Sequence, residues 1–211
     1  AFFATLFLIW QIGYHEHHPW LLGLGGAAVM FANAWLVRRD IRNEPDAAST
    51  IVLTASYYCT LALGLIYTAM STGLSDSSLP PMLALVALAL TLSVYRLRLY
   101  ELPPIAQTFL LGAQWLVLFP AETGEELPWW STTLVALVTL IVLTWWWRQR
   151  VTRAGSWITL LNLAYALALV GLTYHAVRPS LTNESWMITA SLFSVAFLAY
   201  GAITRVWPIA V

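Results

Sequence analysis

Charged side chains are scarce in this chain: 9% of its 211 residues are Asp, Glu, Lys or Arg, whereas 60% are hydrophobic. A soluble domain usually has about a quarter of its residues charged. The ionised groups here are too few to solvate a globular surface. They lie in short islands, separated by apolar runs long enough to cross the ~30 Å hydrocarbon core of a bilayer. The composition therefore excludes an ordinary soluble domain and predicts an integral membrane protein.

Lysine is absent and cysteine nearly so. All ten basic residues are arginine, so no lysine amine can form a Schiff base, and a retinal protein is excluded. The single cysteine, Cys59, lies in an apolar run and is interpreted as a small buried side chain, because one thiol builds neither an intrachain disulfide nor a thiolate metal site. Phosphate-binding glycine loops, CxxC pairs and serine-nucleophile motifs are also missing. We expect no cofactor and no nucleic-acid partner.

The apolar runs predict an all-α, polytopic transmembrane helical bundle, because they are longer than barrel strands and do not alternate with polar residues. Seven complete spans are predicted, at 20–37, 47–70, 81–95, 103–119, 129–147, 156–177 and 185–204. Prolines at or near the starts of several spans are typical of the first helical turn. Short turns predict consecutive antiparallel hairpins in a single transmembrane region, 1–211. Partial helices at both ends and the missing initial Met lead us to expect a fragment of a longer membrane protein.

Charge alternates between successive turns. Nine of the ten arginines lie in alternate turns, in the groups that begin at Arg38, Arg96, Arg148 and Arg205, and six of the ten acidic residues lie in the opposite turns. We call these the arginine ends and the acidic ends of the spans. Arginine-rich short loops mark the cytoplasmic side, so the Arg38, Arg96, Arg148 and Arg205 turns are predicted to be cytoplasmic. Tryptophans near the span ends, including 145–147, are interpreted as interfacial anchors.

Histidines form the first candidate site, at the acidic ends. Its possible metal ligands are His15, His17, His18 and His175. Imidazole suits Zn, Cu or Ni, but neighbours in one turn cannot all converge on one ion, and the helical HExxH spacing is absent. We interpret the early histidines as a solvated turn that titrates near neutral pH. A metal site is the alternative.

Polar side chains within the spans form the second candidate site. Gln107 and Gln114 are seven residues apart, on nearly one helix face, and Asn162 and Tyr165 are an i, i+3 pair. They are interpreted as interhelical hydrogen-bonding groups, with a polar substrate cavity as the alternative. No ionisable residue lies at central depth in a span, which argues against a proton-coupled pump or an ion channel. Small residues at close-packing spacing predict close helix approaches; they are Gly25, Gly26, Ala28, Ala32, Ala164 and Ala168.

Two arginine turns share a local pattern. Tyr95 and Arg96 precede Pro-Ile-Ala at 104–106, and Tyr200 and Arg205 precede Pro-Ile-Ala at 208–210. The pattern is explained either by duplicated hairpins or by convergence on the same turn chemistry. It resembles the bacterial many-spanning "predicted membrane protein" group, domain-of-unknown-function family 2339. The resemblance implies a longer array of spans in a bacterial inner (cytoplasmic) membrane and supplies no catalytic residues.

Three classes of function follow from these patterns. The favoured one is a structural or interaction protein, a scaffold-like helical array. The alternative is a transporter or lipid-handling protein, in which Gln107, Gln114, Asn162 and Tyr165 line a cavity for a neutral or lipidic substrate. A membrane enzyme that uses the histidines as a metal site is the third. The expected partners are the lipid bilayer, other membrane subunits and the remainder of the same polypeptide.

Overall fold

The computed structural model describes residues 19–39, 48–97, 102–119, 127–149, 156–177 and 182–205. These residues form seven helices and contain no strand, so the all-α prediction is confirmed for them. The helices are α1 (Pro19–Arg39), α2 (Ala48–Gly73), α3 (Leu79–Leu97), α4 (Leu102–Leu118), α5 (Trp129–Gln149), α6 (Ser156–Val177) and α7 (Asn183–Thr204).

Six of these helices are long and apolar enough to cross a membrane, and α4 is a shorter apolar helix. With 17 residues, α4 covers about 26 Å at ~1.5 Å per residue, slightly less than the hydrocarbon core. The other helices have 19 to 26 residues. The protein is therefore a multi-pass integral membrane protein.

Local sequence explains where several helices begin and end. One or two of the first three residues of α1, α3 and α4 are prolines, at positions where a missing backbone N–H costs no helical hydrogen bond. Thr182 caps α7, because its Oγ1 accepts a hydrogen bond from the backbone N–H of Ser185 at 3.4 Å. Arg205 ends α7 in the left-handed conformation, with φ 58° and ψ 30°, and its backbone N–H donates to the Gly201 carbonyl.

Contacts divide the chain into two compact units, Ala1–Leu111 and Gly112–Val211. In the first unit α1 packs closely along α2, and α3 contacts α2 less extensively. In the second unit α5 packs along α6. The hairpin of α1 and α2 is antiparallel, since Trp20 approaches Gly73 near one end while Ala34 clusters with Cys59 towards the other.

Small buried residues bring α1 and α2 together. On α1 these residues are Gly23, Ala27 and Ala34; on α2 they are Ala55, Cys59, Ala62 and Ala69. A Cβ at Gly23 would lie 2.8 Å from the Ala69 Cβ and 3.0 Å from the Leu65 carbonyl oxygen. The backbones approach so closely only because residue 23 has no side chain, which is how small residues drive helix association in lipid. The interpretation of Cys59 as a buried side chain is confirmed.

Most of the small residues that the sequence analysis predicted to pack closely do not lie in such a contact. Gly25, Ala28 and Ala32 are exposed, and a Cβ at Gly25 would meet nothing within 4 Å. Ala164 is also exposed, whereas Gly26 is buried. The predicted close-packing face of α1 was therefore wrong. The two faces carry equally small residues at similar spacing, so spacing cannot show which face meets the neighbouring helix.

Candidate functional site: buried polar side chains

Gln107 is buried on α4 and bonded within the first unit. Its Nε2 donates to the Thr91 Oγ1 on α3 at 3.2 Å and also to the Pro103 carbonyl, one turn earlier on α4. The Thr91 hydroxyl in turn donates to the Ala87 carbonyl at 2.7 Å. A threonine inside a helix often bonds the carbonyl four residues back, and its oxygen can still accept a hydrogen bond. We call this chain of amide, hydroxyl and carbonyl the first Gln–Thr link.

Gln114 makes the same arrangement within the second unit. Its Nε2 donates to the Thr139 Oγ1 on α5 at 2.9 Å, and the Thr139 hydroxyl donates to the Val135 carbonyl at 2.8 Å. Thr139 is completely buried and Gln114 is 3% exposed. This is the second Gln–Thr link. It differs from the first in one respect: among the described residues, the Gln114 amide nitrogen has no second acceptor like the Pro103 carbonyl.

The threonine partners were missed by sequence reasoning. Thr91 and Thr139 do not differ, as sequence, from the exposed Thr60 and Thr133, which also bond the carbonyl four residues back. The one signal that separates them is burial, which depends on neighbouring helices. The glutamines could be found because an amide side chain in a long apolar run is rare, whereas threonine is common there.

Asn162 and Tyr165 are both completely buried on α6. The Asn162 side chain is exceptional, because neither its Nδ2 nor its Oδ1 has a hydrogen-bond partner in the part of the chain that the structure describes. Leaving such a group unsatisfied costs about 1–3 kcal/mol. No hydrogen bond joins Asn162 to Gln114, the other candidate side chain on a neighbouring stretch of the second unit.

At the arginine ends, α5 and α7 are joined by two polar contacts. The Thr144 and Tyr200 hydroxyls lie 2.8 Å apart, and the Trp147 Nε1 donates to the Arg205 carbonyl at 2.6 Å. From the first contact to the second, both helices advance towards their C-terminal ends, so α5 and α7 run parallel. Trp146 is completely buried and therefore does not face lipid, so the prediction that the Trp145–Trp147 cluster anchors at the lipid interface was wrong for this residue.

The structure describes one of the four candidate histidines. His15, His17 and His18 lie outside the described residues, and His175 is an exposed side chain in the last turn of α6. Its ring meets the neighbouring Tyr174 edge to face, with centroids 6.1 Å apart. Among the residues that were described, no three His, Cys, Asp or Glu side chains group around a possible ion. The metal site remains a prediction.

Comparisons with protein-family models, with curated proteins and with solved structures find no match for this chain. The resemblance to domain-of-unknown-function family 2339 remains a prediction. The function must therefore be inferred from the buried polar groups and from the packing around them.

Proposed function

We propose that this chain is a structural helical array of a bacterial inner membrane, a scaffold that holds other membrane subunits or further helices of its own polypeptide. The observation that supports this most strongly is the pair of Gln–Thr links. A side chain that lines a substrate path keeps donors available for the substrate, whereas the Gln107 and Gln114 amides are directed at threonines on neighbouring helices. Such contacts fix helix positions, at about 0.6 kcal/mol each on average.

The proposed topology has seven spans in consecutive antiparallel hairpins, and the shortest of the seven is α4. Arginines lie in the last turns of α1, α3 and α5, and Arg205 caps the C-terminal end of α7. The parallel course of α5 and α7 supports an alternating path through the bilayer. With the arginine ends in the cytoplasm, the odd-numbered helices run from outside to inside. The proposal extends to membership of domain-of-unknown-function family 2339, whose members are similar arrays of spans.

Two measurements on the same variants test the scaffold proposal. The full chain, reconstituted in liposomes, is assayed for flux of neutral solutes, and its unfolding free energy is measured in mixed micelles. We expect Gln107→Leu and Gln114→Leu to lower stability by about 0.6 kcal/mol each and to leave flux at the level of protein-free liposomes. The proposal would be refuted if the wild-type protein carried solute flux and both variants abolished that flux without losing stability.

Asn162 favours a second candidate, a transporter or lipid-handling protein for a neutral or lipidic substrate. A completely buried amide whose two polar atoms have no hydrogen-bond partner among the described residues is a group that a substrate could satisfy. The test is Asn162→Leu. If the amide serves no ligand, this change removes an unsatisfied group and raises stability by about 1–3 kcal/mol. If it binds substrate, flux measured in liposomes falls, and added substrate no longer raises the melting temperature.

A further inference from the structure

An apolar pocket of about 420 Å³ opens in the first unit, at the acidic ends of α1, α2 and α3. Its lining includes Trp20 and Leu24 from α1, Met70 and Gly73 from α2, and Met82 and Val86 from α3. The pocket exists because α3 contacts α2 much less closely than α1 does. Methionine side chains adapt readily to flexible apolar ligands, and two of them line this space.

Trp20 forms one wall of the pocket because residue 73 is glycine. A Cβ at Gly73 would lie 3.0 Å from the Trp20 Cβ and 3.1 Å from its Cγ. Both distances are closer than ordinary van der Waals contact, so a larger residue would push the indole away. The last turn of α2 therefore holds the ring of an amphipathic side chain, of the kind that prefers the membrane interface, beside the pocket.

A polar turn, residues 74–78, borders the pocket where α2 passes to α3. Leu74 lines the pocket, and three serines follow within four residues. The Ser75 Oγ lies 3.2 Å from the Ser77 Oγ and 3.1 Å from the Ser78 Oγ. Asp76, in the middle of this turn, is exposed, and no described arginine forms an ion pair with it. The pocket thus combines an apolar interior with a carboxylate two residues from its lining.

We propose that this pocket holds an acyl chain of one membrane phospholipid, whose headgroup carries a primary ammonium that pairs with Asp76. Lipid tails are as apolar as the lining, so van der Waals packing rather than a hydrophobic gain holds the chain, and that packing is the same for two phospholipids with identical acyl chains. Selectivity must then come from the headgroup, and the carboxylate favours a positive ammonium over an anionic headgroup. The inference goes beyond the scaffold proposal and holds without it, because it requires only that α1, α2 and α3 span a bilayer.

Native mass spectrometry of the full chain measures the bound lipid directly. The protein, exchanged into lipid-free detergent, is incubated separately with phosphatidylethanolamine and phosphatidylglycerol of identical acyl chains. We expect one retained phosphatidylethanolamine, bound between about one and a half and five times more tightly than phosphatidylglycerol, the range for an exposed ion pair. Asp76→Asn is expected to abolish this preference while leaving a chain bound.

Two pocket-filling variants and one matched control complete the test. Val86→Trp and Met82→Trp place an indole in the pocket and are expected to lose the retained lipid. Leu92→Trp, at an exposed position on the same helix but outside the lining, is expected to retain it. Circular dichroism melting in the same detergent checks folding, and Asp76→Asn tests headgroup preference even if both pocket variants unfold. Equal retention by all three tryptophan variants, no retained lipid in the wild type, or no headgroup preference would overturn the proposal.

Discussion

Replacing Thr139 should destabilise the protein more than replacing Gln114, whose side-chain amide donates a hydrogen bond to the Thr139 hydroxyl. In the second Gln–Thr link, Thr139→Val removes the acceptor and leaves the buried Gln114 amide without its hydrogen bond to α5. Gln114→Leu removes the amide itself, and the Thr139 hydroxyl keeps its bond to the Val135 carbonyl. The first change strands a buried donor, whereas the second strands none.

The magnitudes follow from this asymmetry. A stranded buried donor costs about 1–3 kcal/mol, whereas the loss of an interhelical hydrogen bond in a membrane costs about 0.6 kcal/mol. Thr139→Val is therefore expected to lower the unfolding free energy by about 1–3 kcal/mol. Thr91→Val should cost only about 0.6 kcal/mol, because the Gln107 amide retains the Pro103 carbonyl as an acceptor. The two threonines act as matched controls, since both are buried and both belong to a Gln–Thr link.

A double-mutant cycle in mixed detergent micelles measures these differences. Unfolding of the wild type, Thr139→Val, Gln114→Leu and the combined variant is followed by circular dichroism as the denaturing detergent is increased. The combined variant should be more stable than Thr139→Val alone, because it removes the stranded amide together with its lost acceptor. Strictly additive effects, or equal losses for Thr139→Val and Thr91→Val, would refute this account of the two links.

Three further predictions test the packing, a helix end and the topology. Gly23→Ala should destabilise the α1–α2 hairpin by about 1–3 kcal/mol through overpacking. Gly25→Ala, which faces open space, should stabilise α1 by about 0.5–1 kcal/mol. Detergent unfolding compares the two variants, and equal effects would contradict the assigned contact face of α1. Arg205→Gly should be more stable than Arg205→Ala by about 1 kcal/mol, because only glycine adopts a left-handed φ without strain. Thermal melting compares the two variants, and a more stable alanine variant would refute this prediction. In a cysteine-free background, a thiol placed at Gln149 should react with impermeant reagents only from the cytoplasm and one at Gly124 only from outside; the reverse pattern would invert the proposed topology.

The candidate side chains could be only partly interpreted from the sequence, because their hydrogen-bond partners depend on how the helices pack against one another. Gln107 and Gln114 stand out because amides are rare in long apolar runs, yet nothing adjacent in sequence identifies Thr91 and Thr139 as their acceptors. Those partners are 16 and 25 residues away along the chain. Pairing between different helices depends on how each helix is rotated about its axis, and the rotation is not encoded in any local motif.

The α1–α2 hairpin shows the same limit for packing. Gly23, Ala27 and Ala34 form its contact face, whereas Gly25, Ala28 and Ala32 are exposed, although both sets have close-packing spacing. In a soluble helix an apolar stripe would have distinguished the faces. Here α1 is apolar nearly all round, because both lipid and protein are apolar surroundings, and the choice depends on small differences in van der Waals packing.

What the sequence determined by itself was the class of protein: helical, integral to a membrane, with spans near the observed helices and prolines in their first turns. Hydropathy and charge add up over some twenty residues, and an error at one position hardly alters the sum. Only the tertiary structure decided which face of each helix is covered, which threonines accept from the glutamines, that Trp146 is buried, and that a pocket opens at the acidic ends of α1, α2 and α3. Each of these depends on contacts between distant segments, whose energies are small and differ by the fit of individual side chains.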